Sequence, residues 1–233
     1  MAKQLPFLLL AAAMAVTSSP ASAAATKLTM HNLCPYPIWP LITPNTGFPS
    51  ISDNTARLDA NGHGLISYNF PPTFWAGRLV ARTACSSPPS RCETGTSPPA
   101  TVVQLVVHSP EAADLAAYSV SLVDGFNVPA VVSPQAIGGG GLCPALGCAV
   151  DLNDGCPRSQ RVVGGGGGVV ACRGTAGYFK GRCPLTRTTG SDVEPVPQRC
   201  LAPGELKVVF CQPSMVAGDG VPEIIRTVVV ADN

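Results

Sequence analysis

The sequence predicts an all-β fold, a sandwich or barrel of many short strands. Three observations carry this reading. Runs such as 101–108 (TVVQLVVH) and 205–211 (ELKVVFC) combine β-branched residues with strand length. Gly and Pro number 24 each, which crowds the chain with turns and leaves no room for a long helix. All ten cysteines lie beyond residue 33, and an even count in an exported chain implies a disulfide framework.

Export is expected from the first 25 residues. Lys3 opens them, 7–16 is apolar but too short to span a bilayer, and Ala21-Ser22-Ala23 is a small-residue cleavage pattern. Residues 1–25 therefore read as a secretory leader. Without Lys3 the chain holds 14 basic and 14 acidic side chains. A near-neutral chain lacks the basic footprint of a nucleic-acid binder and has little attraction for an anionic bilayer. No later run is long and apolar enough for a membrane anchor, and no N-x-[ST] sequon is present. A monomer without cofactor or metal is expected. His31, His63 and His108 are scattered, and the cysteines lack zinc-site spacing.

The elements follow in order. Residues 26–33 alternate enough for a first strand. Its continuation, 34–40 (CPYPIWP), carries prolines at 35, 37 and 40, which suit only a sheet edge. A strand, a turn at 61–64 and a return strand are expected over 57–68. In 71–83 (PPTFWAGRLVART), Phe74 and Trp75 are apolar anchors beside Gly77. Arg78, Val80 and Arg82 share one face at period two. Val102, Gln104 and Val106 share a face of the next strand. Residues 112–117 offer at most a helical turn. In 118–129 (YSVSLVDGFNVP), Tyr118, Val120 and Leu122 oppose Ser119 and Ser121, and Asp124-Gly125 turns the chain. Val131 and Val132 continue in extended form.

From Gly138 the character changes. Five cysteines fall between 143 and 183, around a glycine run at 164–168. That run lacks the order of a phosphate-binding loop and reads as a flexible surface loop between short extended pieces at 162–163 and 169–170. Asp151 and Asp154 are expected to form turns. The last confident strand is 205–211. The extension 212–233 holds one more β-prone run at 224–230 (IIRTVVV), a candidate edge strand.

Taken together, these blocks resemble the plant thaumatin-like proteins, pathogenesis-related family 5. The resemblance runs from about Lys27 to Cys211. It rests on NLCPYPIWP (32–40), WAGRLVARTAC (75–85), CETGT (92–96), PPATVVQLVV (98–107), YSVSLVDGFNVP (118–129), DLNDGCP (151–157), ACRG (171–174), YFKGRCP (178–184) and VVFCQP (208–213). It implies a flattened antiparallel β-sandwich over 26–211, with a disulfide-stapled loop subdomain at 138–200. It also implies the pairs Cys34–Cys211, Cys85–Cys92, Cys143–Cys200, Cys148–Cys183 and Cys156–Cys172. Larger members carry further bridges, and their absence here implies a reduced loop subdomain.

The resemblance also implies a cleft built from an arginine, a glutamate and aspartates, where some members bind or slowly hydrolyse β-1,3-glucans. Here Arg82 takes the arginine position and Asp124 an aspartate position. Gln104 stands for the glutamate, while Ser119 and Leu185 stand for aspartates. Glycoside hydrolysis needs two carboxyl groups across the scissile bond. Gln104 and Ser119 can hydrogen-bond but cannot act as a carboxylate pair with Asp124. An Arg82–Asp124 ion pair shaping the bend is the first expectation for this remnant, and a polar contact surface the second. The function expected is a non-catalytic secreted defence protein of the apoplast, antifungal in type, binding cell-wall polysaccharide or a microbial protein. One alternative is an inhibitor of a microbial glycoside hydrolase such as xylanase, presenting the 85–92 loop with Pro88 and Pro89. The other is a weak β-1,3-glucanase.

Overall fold

A computed structural model describes residues 26–110, 114–193 and 200–213. The expected leader 1–25 and the extension beyond Pro213, including its candidate edge strand, lie outside the described residues. The chain first lays down β1 (Lys27–Asn32), β2 (Ile38–Pro44), β3 (Gly64–Asn69) and β4 (Trp75–Thr83). Next come β5 (Val102–Ser109), β6 (Leu115–Ser121), β7 (Ala130–Ile137) and β8 (Leu146–Cys148). The loop segment holds β9 (Arg161–Val163), β10 (Val169–Cys172) and the short helix α1 (Ala176–Arg182). The strands β11 (Cys200–Leu201) and β12 (Pro203–Phe210) follow.

Two sheets form the sandwich. One runs β3-β1-β12-β7-β8, the other β11-β6-β5-β4-β2, and β9-β10 is a separate hairpin. One pair departs from the antiparallel pattern, because β1 runs parallel to β12 with Lys27 opposite Glu205 and Asn32 opposite Phe210. The period-two reading explains the core. Leu28, Met30, Leu206, Val208 and Val132 from the first sheet share one buried cluster with Leu79, Val103, Leu105, Tyr118 and Val120 from the second. The prolines place β2 at an edge, as their missing N–H groups require.

Trp75 is fully buried, its Nε1 donates to Pro49 O (2.9 Å), and its ring lies against Gly77. A Cβ at Gly77 would sit 2.4 Å from the Trp75 ring and 2.8 Å from Thr43 O. Gly77→Ala is therefore expected to cost about 1–3 kcal/mol through overpacking. Urea unfolding measures this, and an unchanged midpoint would contradict the contact.

Three local expectations are corrected. Residues 57–68 do not form a hairpin. Leu58 is buried and makes only an isolated bridge to Ile38, while β3 pairs with β1. Asn32 Nδ2 donates to both Leu58 O and Asp59 O, which holds this segment across the edge of the sandwich. The helical turn expected at 112–117 gives way to strand from Leu115, because β6 pairs with β5 past an irregularity between Val106 and Ser109. The glycine run is a tethered turn between β9 and β10, in which Gly164 N donates to Gly168 O and Gly165 N to Glu93 Oε1.

The loop segment meets the chain just beyond β6 through its own small cluster. Leu122, Phe126, Leu152 and Phe179 surround the Cys148–Cys183 and Cys156–Cys172 bridges. So few apolar side chains make a weak core, and covalent links compensate. Cys85–Cys92 clips a surface loop, Cys143–Cys200 ties the loop segment to β11, and Cys34–Cys211 joins the ends of the sandwich. No described cysteine is free.

Candidate functional site

The candidate site is the outer face of β4, β5 and β6, the face turned away from the sandwich core. Strand register sets a polar row across it. Thr43 lies opposite Arg78, Arg78 opposite Gln104, and Gln104 opposite Ser119. Beyond β6 the chain returns alongside, where Arg187 N donates to Val120 O (2.8 Å) and Leu122 N to Arg187 O (2.7 Å). Arg187 thereby extends the row past Ser119.

Two shallow concavities mark this face. One, about 120 Å³, lies between Arg78, Val80, Val102, Pro98 and Asp124. The other, about 160 Å³, lies between Gln104, Val106, Ala117, Ser119 and Arg187. Ser119 Oγ donates to Gln104 Oε1 at 3.0 Å. That bond leaves the Gln104 amide NH₂ as the donor presented outward.

The structure separates the residues expected to form one cleft. Gln104 and Ser119 touch each other. Asp124 sits at the exposed turn, with its carbonyl accepting from Ala100 N (3.1 Å). Gly125 allows this turn at φ 94°, and a Cβ there would meet Pro99 at 2.4 Å. Arg82 is not at the cleft, and the expected Arg82–Asp124 ion pair is not formed. Arg82 is only 6% exposed, and its guanidinium donates to four carbonyls. Its Nε reaches Trp39 O (3.1 Å), its Nη1 reaches Pro89 O (3.1 Å), and its Nη2 reaches Pro40 O (3.3 Å) and Asn54 O (2.6 Å). Burial lowers its pKa from the usual arginine value, and the carbonyl fan replaces the lost water. The arginine sharing a concavity with Asp124 is Arg78, two strand periods earlier.

Leu185 is partly buried and packs against the sandwich core, so it offers the cleft nothing polar. Asn127 reads from the sequence as part of the bend that follows Asp124-Gly125, yet it is 1% exposed and hydrogen-bonded through its whole side chain. Its Nδ2 donates to Ala81 O and Thr94 Oγ1, and its Oδ1 accepts from Thr101 N. It braces the loops on which the Asp124 turn rests.

A larger concavity of about 310 Å³ lies away from this row, between Tyr36, Thr83, Glu93, Asp151, Asn153 and Val170. Its carboxylates are committed locally. Glu93 holds the glycine turn, and Asp151 Oδ1 accepts from Asn153 N (3.0 Å). Burial raises the Asp151 pKa, and the charge of Asp154 adds to the rise. Burial pushes the Tyr36 hydroxyl up to about 12, with the Asp151 charge adding to it. Among the described residues, no group of three or more His, Cys, Asp or Glu side chains could hold a metal ion. No helix among them is long and apolar enough to cross a membrane.

Chemically, the row can donate hydrogen bonds and bind, while Asp124 is the one carboxylate lining either of its concavities. Comparison with known proteins agrees with the architecture. A model of the Thaumatin family matches residues 32–179. An osmotin-like protein of Solanum lycopersicum is 35% identical over 226 residues, covering 79% of this chain and 88% of the relative. Thaumatin-like protein 1 of Prunus persica is 36% identical over 165 residues, 64% of each chain. A protein of Prunus avium named glucan endo-1,3-beta-glucosidase is 34% identical over 164 residues, again 64% of each.

Proposed function

Because the chain belongs to the thaumatin family, we propose that it is a secreted plant defence protein that binds a cell-wall glycan on the outer face of β4–β6 without hydrolysing it. The observation supporting this reading is the makeup of the row. Gln104 and Ser119 are bonded to each other, and Asp124 has no second carboxylate beside it in either concavity. Acid–base cleavage of a glycosidic bond requires two such groups. The apolar segment at 7–16 supports export, and the neutral charge balance argues against a membrane target.

Laminarin hydrolysis tests the chemistry, and pull-down on insoluble β-1,3-glucan, chitin and xylan tests the binding. The expected result is retention on at least one polysaccharide with no reducing sugar released above the blank. Turnover that Asp124→Asn abolishes would establish the hydrolase reading that the name of the Prunus avium relative suggests.

One observation favours a second reading, inhibition of a microbial glycoside hydrolase. The loop 85–92 is clipped by its disulfide, and Pro89 O is held by the buried Arg82, so Pro88 projects on a rigid base. Failure on all three polysaccharides together with inhibition of a xylanase would select it.

A further inference from the structure

We propose that the concavity between Tyr36, Glu93, Asp151 and Asn153 is a second binding site, one that takes a primary ammonium carried on a ring-sized body, as in a protonated amino sugar. It lies away from the β4–β6 row and does not depend on the reading of that face. Its volume, about 310 Å³, reaches the range of small-molecule sites, which begins near about 300 Å³.

The charge of the lining is one-sided. Glu93 and Asp151 both line the concavity, and no Lys, Arg or His does. Neither carboxylate has an ion pair among the described residues. Their bonds go to neutral amides, Glu93 Oε1 accepting from Gly165 N (2.7 Å) and Asp151 Oδ1 from Asn153 N (3.0 Å). Asn153 supplies an independent sign of a ligand. It is 8% exposed, it lines the same concavity, and its Oδ1 has no partner among the described residues. The amide cannot turn that oxygen away, because its Nδ2 donates to Asn127 O (3.0 Å) and a flip would set two acceptors face to face. A buried acceptor without a donor is costly, and a ligand N–H would satisfy it.

Two uncompensated carboxylates and an orphaned acceptor call for donors that carry positive charge. An ammonium has three donors and no acceptor. A metal ion fits less well, since no three His, Cys, Asp or Glu side chains among the described residues could hold one. Burial raises the Asp151 pKa and the charge of Asp154 adds to the rise, while an ammonium alongside acts in the opposite sense. Pro37, Val169 and Val170 give the concavity apolar walls. A slender lysine stem would leave much of the space between them unfilled, and a six-membered ring makes the contacts that a stem forgoes.

Calorimetric titration of the full-length secreted protein tests this with glucosamine, its β-1,4 tetramer, the N-acetylated tetramer and tetralysine. It is run at about pH 6, where an amine resembling an α-amino group (pKa about 7.7) is protonated. The expected result is binding of glucosamine or its tetramer, with the N-acetylated tetramer about tenfold weaker or worse. Binding that needs the tetramer marks a wall polymer as the source, and equal binding of the monomer marks a soluble amino sugar. Asp151→Asn and Glu93→Gln should each weaken binding by about fivefold. Each variant keeps a carbonyl oxygen for its backbone partner, so the fold is retained. Glu205→Gln removes the same charge at the far end of β12 from Cys211 and should leave binding unchanged. Equal binding of the N-acetylated tetramer, an equal loss with Glu205→Gln, or no glucosamine binding overturns the proposal. Tighter binding of tetralysine with the same Asp151 dependence overturns it in favour of a basic peptide. A loss with Asp124→Asn but not with Asp151→Asn moves the ammonium to the β4–β6 face and overturns it as well.

Discussion

A Cys34→Ala/Cys211→Ala double variant is expected to lose up to about 5 kcal/mol of stability, enough to unfold many domains of this size. The bridge has a sequence separation of 177, so its removal opens the longest loop in the unfolded ensemble and leaves only the four shorter ones closed. It also sits where β1 and β12 end side by side, with Leu33 N donating to Phe210 O (3.0 Å) just before Cys34. Removing one cysteine alone adds a free buried thiol and a route to wrong pairing, so the double variant is the cleaner measurement. Urea unfolding under non-reducing conditions provides it. A loss below about 1 kcal/mol would mean that the packing of the two sheets alone holds the ends together. The pair Cys85–Cys92 closes a far shorter loop, seven residues in separation, and its removal should cost less.

Arg82→Ala is expected to destabilise the fold by about 3 kcal/mol, because four carbonyls lose a donor in a covered site. Arg82→Lys should recover only part of this. A lysine ammonium is a compact point charge and cannot spread donors in a plane to Trp39, Pro40, Asn54 and Pro89 at once. Four positions earlier on the same face, Arg78→Gln should change stability by less than about 0.5 kcal/mol. Paired unfolding curves for the two variants separate a scaffold arginine from a surface one. If Arg82→Ala unfolds with the parent, the carbonyl fan contributes nothing and Arg82 regains its claim on the cleft.

That contrast shows how far the sequence could be read. Alternation placed Arg78, Val80 and Arg82 on one face, and they share it. What covers each of them depends on distant segments. The backbone of Pro40 and Asn54 and the clipped loop at Pro89 close over Arg82, and nothing comparable closes over Arg78. No local pattern encodes that difference. The strong strands were legible because Val and Leu alternate or cluster over strand length, and the edge position of β2 followed from its prolines. The fate of Leu58 was not legible. A single apolar residue among polar neighbours resembles a strand start, and only the Asn32 side chain from another strand shows that it is an isolated bridge. The Gln104–Ser119 contact required the β5–β6 register, which an irregularity between Val106 and Ser109 shifts. Asn127 looked like a turn residue and is instead a buried brace, since its partners come from β4 and the loops flanking β5.

The parallel pairing of β1 with β12 has a consequence for how the protein is made. The first strand emerges from the ribosome long before its central partner exists. Until then β1 has only β3 beside it, and the flank that β12 will occupy stays unpaired. Chains dominated by such distant contacts fold slowly, and an unpaired apolar strand edge invites association with other chains. The first sheet is therefore completed late in synthesis, when residues 203–210 supply its missing middle.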